Sequence, residues 1–341
     1  MSSLIVEVST IDAVQKHPNA DAIELAVIKG WQCVVPKGKY AAGAMVVYVP
    51  LDSVIPDPLA EKLGITKYLS KGRVRCARLR GEPSFGVIMD PDDPAWEVGR
   101  DVAEHYGITK YKPPLKLSAG DAAPDDPRFP AYTEVQNLRN FPAIFVPGEE
   151  VIATEKLHGT NQRTGLIEGQ WMAGSRELRR MPTDEPESNL YWFPSTLPAV
   201  HRMLEHIAHM GHKHVVLYGE VFGSKIQSLT YGHVGTLGFA AFDLWIDGEF
   251  CEPFSFEELC KAHEVPMCPV LYRGPFSLDA IKAASTGNTT HGTATHIREG
   301  VVVRPAEERT DPKIGRVILK YLNDDYLLKK EEGRISDSTD R

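Results

Sequence analysis

Residues 155–161 read Glu-Lys-Leu-His-Gly-Thr-Asn, and the interpretation of the whole sequence works outward from them. They follow an apolar, β-branched run at 151–154, so Lys156 is predicted at the end of a strand. A lysine is a nucleophile only when its amine is deprotonated, which desolvation or neighbouring cations favour. Gly159 permits a tight turn, and Asn161 adds hydrogen-bonding capacity. Lys-x-x-Gly is also typical of exposed turns, so the rest of the chain must decide whether Lys156 is a nucleophile or a turn residue.

Five further segments follow in order, each with a charged or aromatic side chain at a predicted strand end or turn, where side chains can converge on a cleft. They are residues 174–177 (Gly-Ser-Arg-Glu), 218–220 (Tyr-Gly-Glu), 239–243 (Phe-Ala-Ala-Phe-Asp), 299–302 (Glu-Gly-Val-Val) and 319–321 (Leu-Lys-Tyr). Together with residues 155–161 they resemble the motifs of the covalent nucleotidyltransferase superfamily, which contains polynucleotide ligases and capping enzymes. The resemblance spans residues 151–329.

Residues 155–161 resemble the RNA ligase branch typified by phage nick-sealing and trypanosome editing RNA ligases. That branch carries histidine where DNA ligases usually carry aspartate, and His158 matches it. The resemblance implies an ATP-dependent RNA ligase that joins 3′-hydroxyl and 5′-phosphate ends at nicks, through lysyl-AMP and RNA-adenylate. It also implies ATP and Mg²⁺ or Mn²⁺ as cofactors, RNA ends as partners and a role in RNA repair.

The resemblance implies a role for each matched residue. Lys156 is expected to carry AMP, and His158, Glu299 and Lys320 are the other expected catalytic residues. The expected nucleotide-binding residues are Glu155, Lys156, Gly159, Asn161, Arg176, Glu220, Phe239, Glu299, Arg316 and Lys320. Among them, Phe239 is expected to stack on adenine, a role that suits a flat apolar ring. Glu299 and Glu220 are the expected metal ligands, in part through water.

One position departs from the family pattern. Relatives often carry a second basic residue two positions after the one that Lys320 matches, whereas Leu322 is apolar. Arg316 lies four residues upstream, and on a single strand it would share the face of Lys320. We therefore expect Arg316 to supply the second charge, since attack on an α-phosphate concentrates negative charge that cations and a metal must stabilise.

The composition is that of a globular protein, with 341 residues, 42% hydrophobic and 25% charged. The net charge of −8 is unusual for a nucleic-acid-binding protein, but a phosphate backbone responds to the local patch. The five cysteines form no Cys-x-x-Cys pair, as is typical of free thiols in a reducing cytoplasm. Neither a signal peptide nor a membrane span is predicted, so we expect a cytoplasmic monomer.

Residues 1–105 are rich in short β-like runs, at 4–8, 24–28, 31–35, 44–49 and 85–89, separated by glycine, proline and aspartate. This pattern predicts a small β-barrel of OB type. Residues 17–21 (His-Pro-Asn-Ala-Asp) loosely resemble the opening of a tRNA-binding OB module.

A basic cluster with no acid occupies residues 67–80. If its first part is a strand, Lys71, Arg73 and Arg75 share one face. We interpret the cluster as an RNA-binding surface for phosphates. The alternative is a solvated edge strand protected by charge. The predicted RNA-binding residues are Lys71, Arg73, Arg75, Arg78 and Arg80.

Seven prolines are spread over residues 106–148, which predicts a connector at a domain boundary. After it, strand-like runs (151–156, 215–222, 236–244, 300–304, 317–321) alternate with helix-like runs (197–210, 256–262). The predicted fold class is α+β: a nucleotidyltransferase (ATP-grasp-like ligase) domain of antiparallel sheets and helices, preceded by a small OB-like β-barrel. The predicted organisation is an OB-like RNA-binding module (1–105), a connector (106–148), an adenylyltransferase domain (149–330) and a polar tail (331–341).

Three other functions stay open at this point. An mRNA-capping-type guanylyltransferase would use GTP, and an ATP-dependent DNA ligase would join DNA. Both usually place their OB domain after the catalytic domain, whereas 21 residues follow Lys320 here, and neither matches His158. The third is a catalytically dead RNA-binding protein, against which the presence of Lys156, Glu220 and Glu299 argues.

Overall fold

The computed structural model describes residues 4–112, 122–223 and 226–331. Within them the chain forms two compact units. The first unit contains residues 4–112, 136–142 and 327–331, and the second contains residues 122–135, 143–223 and 226–326. Residues 113–121 of the predicted connector and 332–341 of the predicted tail lie outside the described residues. The domain boundaries expected from the sequence stay predictions.

The first unit is built mainly from short antiparallel strands. Its elements are β1 (Glu7–Thr10), β2 (Ala13–Lys16), β3 (Ile23–Ile28), β4 (Trp31–Pro36), β5 (Met45–Val49), β6 (Ser53–Val54), α1 (Asp57–Leu63), β7 (Ala77–Leu79), β8 (Glu82–Ser84), β9 (Val87–Met89), β10 (Thr109–Lys110) and β11 (Gln136–Asn137). Strands β1, β5 and β9 form one sheet, and β2, β3 and β4 form another. Lys29 and Gly30 both have positive φ between β3 and β4, as a tight two-residue hairpin turn requires.

Strand β5 contributes side chains to two hydrophobic clusters of the first unit, which explains its apolar sequence Met-Val-Val-Tyr-Val. Val47 and Val49 pack in one cluster, while Val46 and Tyr48 pack in the other beside Trp31. Successive side chains of a strand point to opposite faces, so a strand that is covered on both faces needs apolar residues throughout.

The second unit contains the remaining elements. They are β12 (Glu150–Lys156), β13 (Thr160–Ile167), β14 (Gln170–Ser175), β15 (Arg179–Arg180), α2 (Phe193–Thr196), α3 (Pro198–His209), β16 (His214–Phe222), β17 (Gly238–Ile246), β18 (Glu249–Phe250), α4 (Pro253–His263), β19 (Val270–Pro275), α5 (Leu278–Ser285), β20 (Gly300–Pro305), β21 (Thr310–Asp311), β22 (Gly315–Arg316), β23 (Leu319–Leu322) and the start of α6 (Asp324–Glu331). One sheet has the strand order β15-β14-β13-β16-β17-β18, and in another β23, β20, β12 and β19 are successive neighbours. All of these neighbouring strands pair in antiparallel fashion.

Helices α3 and α4 cover one face of the β15–β18 sheet. Helix α3 starts with proline, whose fixed φ suits the first helical turn, and buries Val200, Leu204 and Ile207 at helical spacing. These side chains pack with Leu217 of β16 and Phe256 of α4. Burying each such side chain stabilises the fold by roughly 1.5–3 kcal/mol.

The opposite face of the same sheet packs toward the second sheet. Its cluster includes Tyr218 of β16, Phe242 of β17 and Val302 of β20. The short link at residues 157–159 leads from β12 in one sheet to β13 in the other. Lys156 is the last residue of β12, so it lies where the two sheets meet.

The predicted α+β class with antiparallel sheets is confirmed. The helix expected at 197–210 is α3, and the one expected at 256–262 is α4. The strand expected at 317–321 is β23, which begins at Leu319. The expectation that Arg316 shares a strand face with Lys320 was wrong, because Arg316 belongs to β22, the hairpin partner of β21. Among the helices that the structure describes, none has the length and apolar character needed to span a membrane.

Candidate active site

Gly159 is required by a close approach between two strands. A Cβ at this position would lie 2.3 Å from the carbonyl oxygen of Val221 and 2.9 Å from Cγ of Glu220. Its backbone N–H donates a hydrogen bond to Glu220 Oε1 at 3.0 Å. The glycine therefore lets the turn after Lys156 lie directly against β16 and places the Glu220 carboxylate beside it.

A pocket of about 240 Å³ opens next to this turn and brings six of the predicted site residues together. These are Glu155, Lys156, Asn161, Arg176, Glu220 and Lys320. The other lining residues are Tyr132, Thr133, Val135, Thr154, Leu157, Phe242, Cys268, Val302, Arg304 and Ile318. The pocket therefore combines cations and carboxylates with an apolar wall, the combination that a nucleotide needs.

Lys156 is paired with a buried carboxylate. Its Nζ lies 2.7 Å from Glu299 Oε1, and Nδ1 of His158 lies 3.7 Å from Glu299 Oε2. Burial acts to raise the pKa of Glu299, but the Lys156 and His158 charges outweigh it and lower this pKa to about 2. Glu299 is thus an anion at neutral pH that holds the lysine head group in place.

His158 does not line the pocket. Its side chain is 4% exposed, and its Nδ1 lies 3.0 Å from the Tyr326 hydroxyl. Its backbone N–H donates to the Tyr231 hydroxyl at 2.7 Å. From this position His158 acts on the pocket through Glu299, so the geometry favours a positioning role over direct contact with a nucleotide.

Glu220 differs from Glu299 in its protonation. Burial, with the Glu299 charge adding to it and the Lys156 charge opposing it, raises the Glu220 pKa to about 7. The group can therefore change its charge near neutral pH.

Two buried side-chain oxygens at the site are available to a ligand. Asn161 Oδ1 and Glu299 Oε2 have no hydrogen-bond partner among the described residues. No group of three or more metal-ligating side chains occurs in the described part of the chain. The donor set therefore fits a hard divalent ion that binds one or two carboxylates and keeps its waters or substrate oxygens, rather than a complete protein cage.

The Glu155 carboxylate is buried and hydrogen-bonded within the protein. Its side chain is fully buried, and its carboxylate accepts hydrogen bonds from the hydroxyls of Thr289 and Thr290 and from the Thr290 backbone N–H. Arg298 Nε lies 3.6 Å away. These contacts hold the 289–290 loop against β12 and leave the carboxylate little capacity for a ligand.

The structure does not support the predicted stacking role of Phe239. This ring is 4% exposed and packs in the α3–α4 cluster, against the face of the sheet away from the pocket. Phe242 lines the pocket instead, opposite Val302 and Ile318. Phe242 follows Phe239 by three residues, so alternation along β17 places the two rings on opposite faces of the sheet, and the β-bulge at Phe242 changes only the residues after it.

The predicted role of Arg316 is also unsupported, because its guanidinium is already paired with two carboxylates. Its Nη1 lies 2.6 Å from Asp243 Oδ2, its Nη2 lies 2.6 Å from Glu308 Oε1, and its guanidinium lies 3.7 Å from the centre of the Phe250 ring. Arg316 does not line the pocket, whereas Arg304 does. Asp243 is fully buried and needs cationic partners, which is a tertiary demand that the sequence pattern does not show.

Residues 132–135 line the pocket or support it, although the sequence pattern indicated only a connector. The Tyr132 hydroxyl donates to Asp243 Oδ2 at 2.8 Å, and its ring centre lies 4.9 Å from that of Phe242. Glu134 Oε2 lies 2.8 Å from Arg176 Nη2, so it holds the arginine that was predicted to meet the nucleotide. Nothing in the residue types of this proline-rich stretch distinguishes these positions before the fold is known.

The family of the chain follows from a direct comparison. Residues 149–322 match the family model described as RNA ligase. The chain belongs to the RNA ligase family. A second family model, which describes an OB-fold domain, matches residues 5–91. This match confirms the OB-like module predicted from the short strands. None of the curated proteins compared with this chain matches it.

Solved structures of Naegleria gruberi RNA ligase are similar over nearly the whole chain. A variant with ATP and Mn aligns at 24% identity and a TM-score of 0.77, over 97% of this chain and 100% of that one. A variant with AMP and Mn aligns at 23% identity and a TM-score of 0.78, over 97% and 100%. A structure with PPi aligns at 24% identity and a TM-score of 0.77, over 97% and 99%. At this identity the likeness establishes the fold, a ligase catalytic domain with an N-terminal OB module.

The predicted RNA-binding residues lie in the OB-fold part of this family member, but not on one strand. Lys71 is in a turn with φ of 52°, Arg73 forms isolated β-bridges and residues 74–76 have no regular structure, so the expected strand with a shared face was wrong. Arg73 donates to Asp52, and its guanidinium lies 3.8 Å from the centre of the Tyr111 ring. Arg78 and Arg80 belong to the β7–β8 hairpin, where both are exposed.

Proposed function

We propose that this protein is an ATP-dependent RNA ligase that joins a 3′-hydroxyl to a 5′-phosphate through lysyl-AMP and RNA-adenylate. The observation that carries the proposal is Lys156 at the end of β12, held at 2.7 Å from Glu299 in a pocket that also contains Lys320. The similar Naegleria gruberi RNA ligase has structures with ATP, AMP and Mn, which favours ATP and a divalent metal for this chain.

In the first step, the Lys156 amine attacks the α-phosphorus of ATP, and pyrophosphate leaves. The amine must first release its proton, so the short contact with Glu299 has to reorganise when the nucleotide and metal bind. Lys320 faces the pocket and supplies positive charge for the oxygens of the α-phosphate. Glu299 and Glu220 would hold a Mg²⁺ or Mn²⁺ ion, which stabilises phosphate charge. The adenine would lie on Phe242, against Val302 and Ile318.

In the second step, a 5′-phosphate at an RNA end attacks the phosphorus of lysyl-AMP and frees Lys156. Asn161 and Arg176 line the pocket and would orient that phosphate, while His158 positions Glu299. In the third step, a 3′-hydroxyl attacks the activated phosphate and expels AMP. We propose that the two ends meet at a nick, that Lys71, Arg73, Arg75, Arg78 and Arg80 contribute to RNA binding, and that the biological role is RNA repair.

The test is covalent labelling of the full chain with α-labelled ATP or, separately, GTP in Mg²⁺ or Mn²⁺, followed by a denaturing gel. We expect label from ATP that disappears in Lys156→Ala and persists in Lys261→Ala, an exposed-lysine control outside the pocket. Nicked duplexes with RNA or DNA strands then separate an RNA ligase from a DNA ligase. Label from GTP alone would move the protein to the capping class, and no label from a folded protein would reject catalysis.

A further inference from the structure

The turn at residues 157–159, directly after Lys156, is held by side chains from a distant loop. The backbone N–H of His158 donates to the Tyr231 hydroxyl at 2.7 Å. The carbonyl oxygen of the last turn residue accepts from Gln227 Nε2 at 3.2 Å. A backbone group that is shielded from water needs a partner, and here both partners come from the segment after β16. That segment therefore sets the position of the turn.

Close packing fixes Tyr231 for this contact. Its side chain is 1% exposed, and its φ of 52° lies in the left-handed region that bulky residues rarely adopt. The ring centres of Phe222 and His296 lie 4.9 and 4.6 Å from that of Tyr231. Such a backbone conformation persists only where the surroundings impose it, and positions of this kind cluster at functional sites. The packing thus presents the hydroxyl to the turn in one fixed position.

A second buried tyrosine fixes the side chain of His158. Tyr326 is 2% exposed, its hydroxyl lies 3.0 Å from His158 Nδ1, and the two rings meet edge to face with centres 5.7 Å apart. The same nitrogen lies 3.7 Å from Glu299 Oε2, and the other oxygen of that carboxylate lies 2.7 Å from Lys156 Nζ. A tyrosine hydroxyl can donate or accept, so it can hold the imidazole in either protonation state. Tyr326 therefore aligns His158 with the carboxylate that holds the Lys156 amine.

A hydrogen-bonded hydroxyl is by itself ordinary for a buried tyrosine. The Tyr48 hydroxyl, for example, donates to the Phe85 carbonyl oxygen, and neither residue lines the pocket. The hydroxyls of Tyr231 and Tyr326 instead converge on His158, one on its backbone and one on its ring. Two independent contacts to the residue two positions after the expected nucleophile indicate that its placement matters for the chemistry of the pocket.

From these contacts we infer that Tyr231 and Tyr326 are positioning residues for Lys156: the first fixes the turn that follows it, and the second fixes the histidine beside its carboxylate partner. The inference rests on the proposed ligase function and extends it to two residues outside the six segments that carry the family resemblance. Both tyrosines act when the bond between Lys156 Nζ and phosphorus forms, as pyrophosphate leaves, and when it breaks, as the RNA 5′-phosphate attacks. In the last step the 3′-hydroxyl attacks RNA-adenylate and AMP leaves, so Lys156 neither forms nor breaks a bond.

The test separates these steps in full-length Tyr231→Phe and Tyr326→Phe with Mg²⁺. Lysyl-AMP formation is followed over a range of ATP concentrations, and the last step is followed as sealing of a 5′-adenylated nicked RNA duplex without ATP. Each variant leaves a buried polar group without its partner, so the maximal rate of lysyl-AMP formation should fall by roughly 5- to 150-fold. The half-saturating ATP concentration and the sealing rate should each change by less than about threefold.

Tyr48→Phe is the matched control, because it removes the hydroxyl of an equally buried tyrosine whose contact lies outside the pocket. It should keep the wild-type rates, and thermal melting of all three variants shows whether lost stability explains a lost rate. Equal slowing of lysyl-AMP formation and of sealing, or a changed ATP requirement at an unchanged maximal rate, would overturn the inference. A wild-type rate in either variant rejects the role of its tyrosine and keeps the ligase, whereas a wild-type protein that forms no lysyl-AMP rejects both.

Discussion

Lys156 interacts with two glutamates whose pKa values are displaced in opposite directions. Glu299 is held as an anion by Lys156 and His158, while burial favours the protonated form of Glu220. Before a ligand binds, the two glutamates beside Lys156 therefore do not both carry a full negative charge. When a metal binds, both can become anionic, so the site is prepared for a divalent ion and phosphate oxygens.

This difference predicts opposite stability changes in two conservative variants. In the folded protein the pKa of Glu220 is about 7, above its ordinary value of 4.5. The stability that this group contributes to the fold is therefore lost as the pH rises from 4.5 through 7. Glu220→Gln should therefore be more stable than wild type at pH 8, by about 1–3 kcal/mol, and similar near pH 4.5. The folded pKa of Glu299, about 2, lies below 4.5, so its contribution is present above pH 4.5 and lost as the pH falls toward 2.

Glu299→Gln should accordingly be less stable than wild type at pH 7, with the deficit shrinking below pH 4. Denaturant unfolding of the metal-free protein across this pH range measures both variants. Glu258→Gln, an exposed acid on α4, is the control. Changes of the same sign in the two variants at pH 8 would contradict this account.

Arg176 is oriented by Glu134, which lies in the segment before the matched family region. We predict that Glu134→Gln slows lysyl-AMP formation or RNA sealing by roughly 3- to 30-fold, because the charged partner of Arg176 at 2.8 Å is lost. The double variant with Arg176→Lys should be less impaired than the product of the two single effects. Glu177→Gln removes an exposed acid next to Arg176 and should leave both rates unchanged.

At the scale of elements, the alternation of side chains along β17 decides which aromatic ring reaches the pocket. Phe239, Ala241 and Leu244 all belong to the α3–α4 cluster, although strict alternation would place residue 244 on the other face. Phe242 follows Phe239 by three residues and therefore faces the pocket, while the bulge returns Leu244 to the side of the α3–α4 cluster. A motif match does not show which face of the strand borders the pocket, because that depends on how the sheet packs.

We predict that Phe242→Ala weakens ATP binding by roughly 5- to 100-fold and lowers the free energy of unfolding by less than Phe239→Ala does, because the Phe242 ring is only half-buried. Phe239→Ala should instead lower the free energy of unfolding by about 3–5 kcal/mol, because it leaves a cavity in the core. ATP titration and denaturant unfolding of both variants measure the two effects. If Phe239→Ala folded normally and lost ATP affinity, the stacking role expected from the motif would be restored.

At the scale of the whole molecule, the first unit is assembled from separate chain segments. Arg139 belongs to it, with its guanidinium 3.8 Å from the centre of the Trp31 ring and Nη1 3.4 Å from the Gly30 carbonyl. Leu327 and Leu328 pack on the same cluster as Trp31. A boundary placed at residue 105 would therefore remove side chains that cover the core of this unit.

We predict that a fragment of residues 1–142 unfolds at a higher urea concentration than a fragment of residues 1–112. The expected difference is about 1–3 kcal/mol, because the longer fragment retains the cation–π contact and hydrogen bond of Arg139. Trp31 fluorescence measures both transitions. Arg139→Ala in the longer fragment should remove most of the gain, and equal midpoints for all three would show that residues 136–142 contribute nothing.

The sequence by itself determined the α+β class, the OB-like module, the family and the convergence of Lys156, Asn161, Glu220 and Lys320. These follow from residue chemistry and order along the chain, which motifs record directly. Only the tertiary structure decided that Phe242 and not Phe239 lines the pocket, and that Arg316 is paired with Asp243 and Glu308. It also decided that Tyr132, Thr133 and Val135 line the pocket. Those outcomes depend on strand register, on burial and on the partners that a buried charge requires, and none of these is a local property of the sequence.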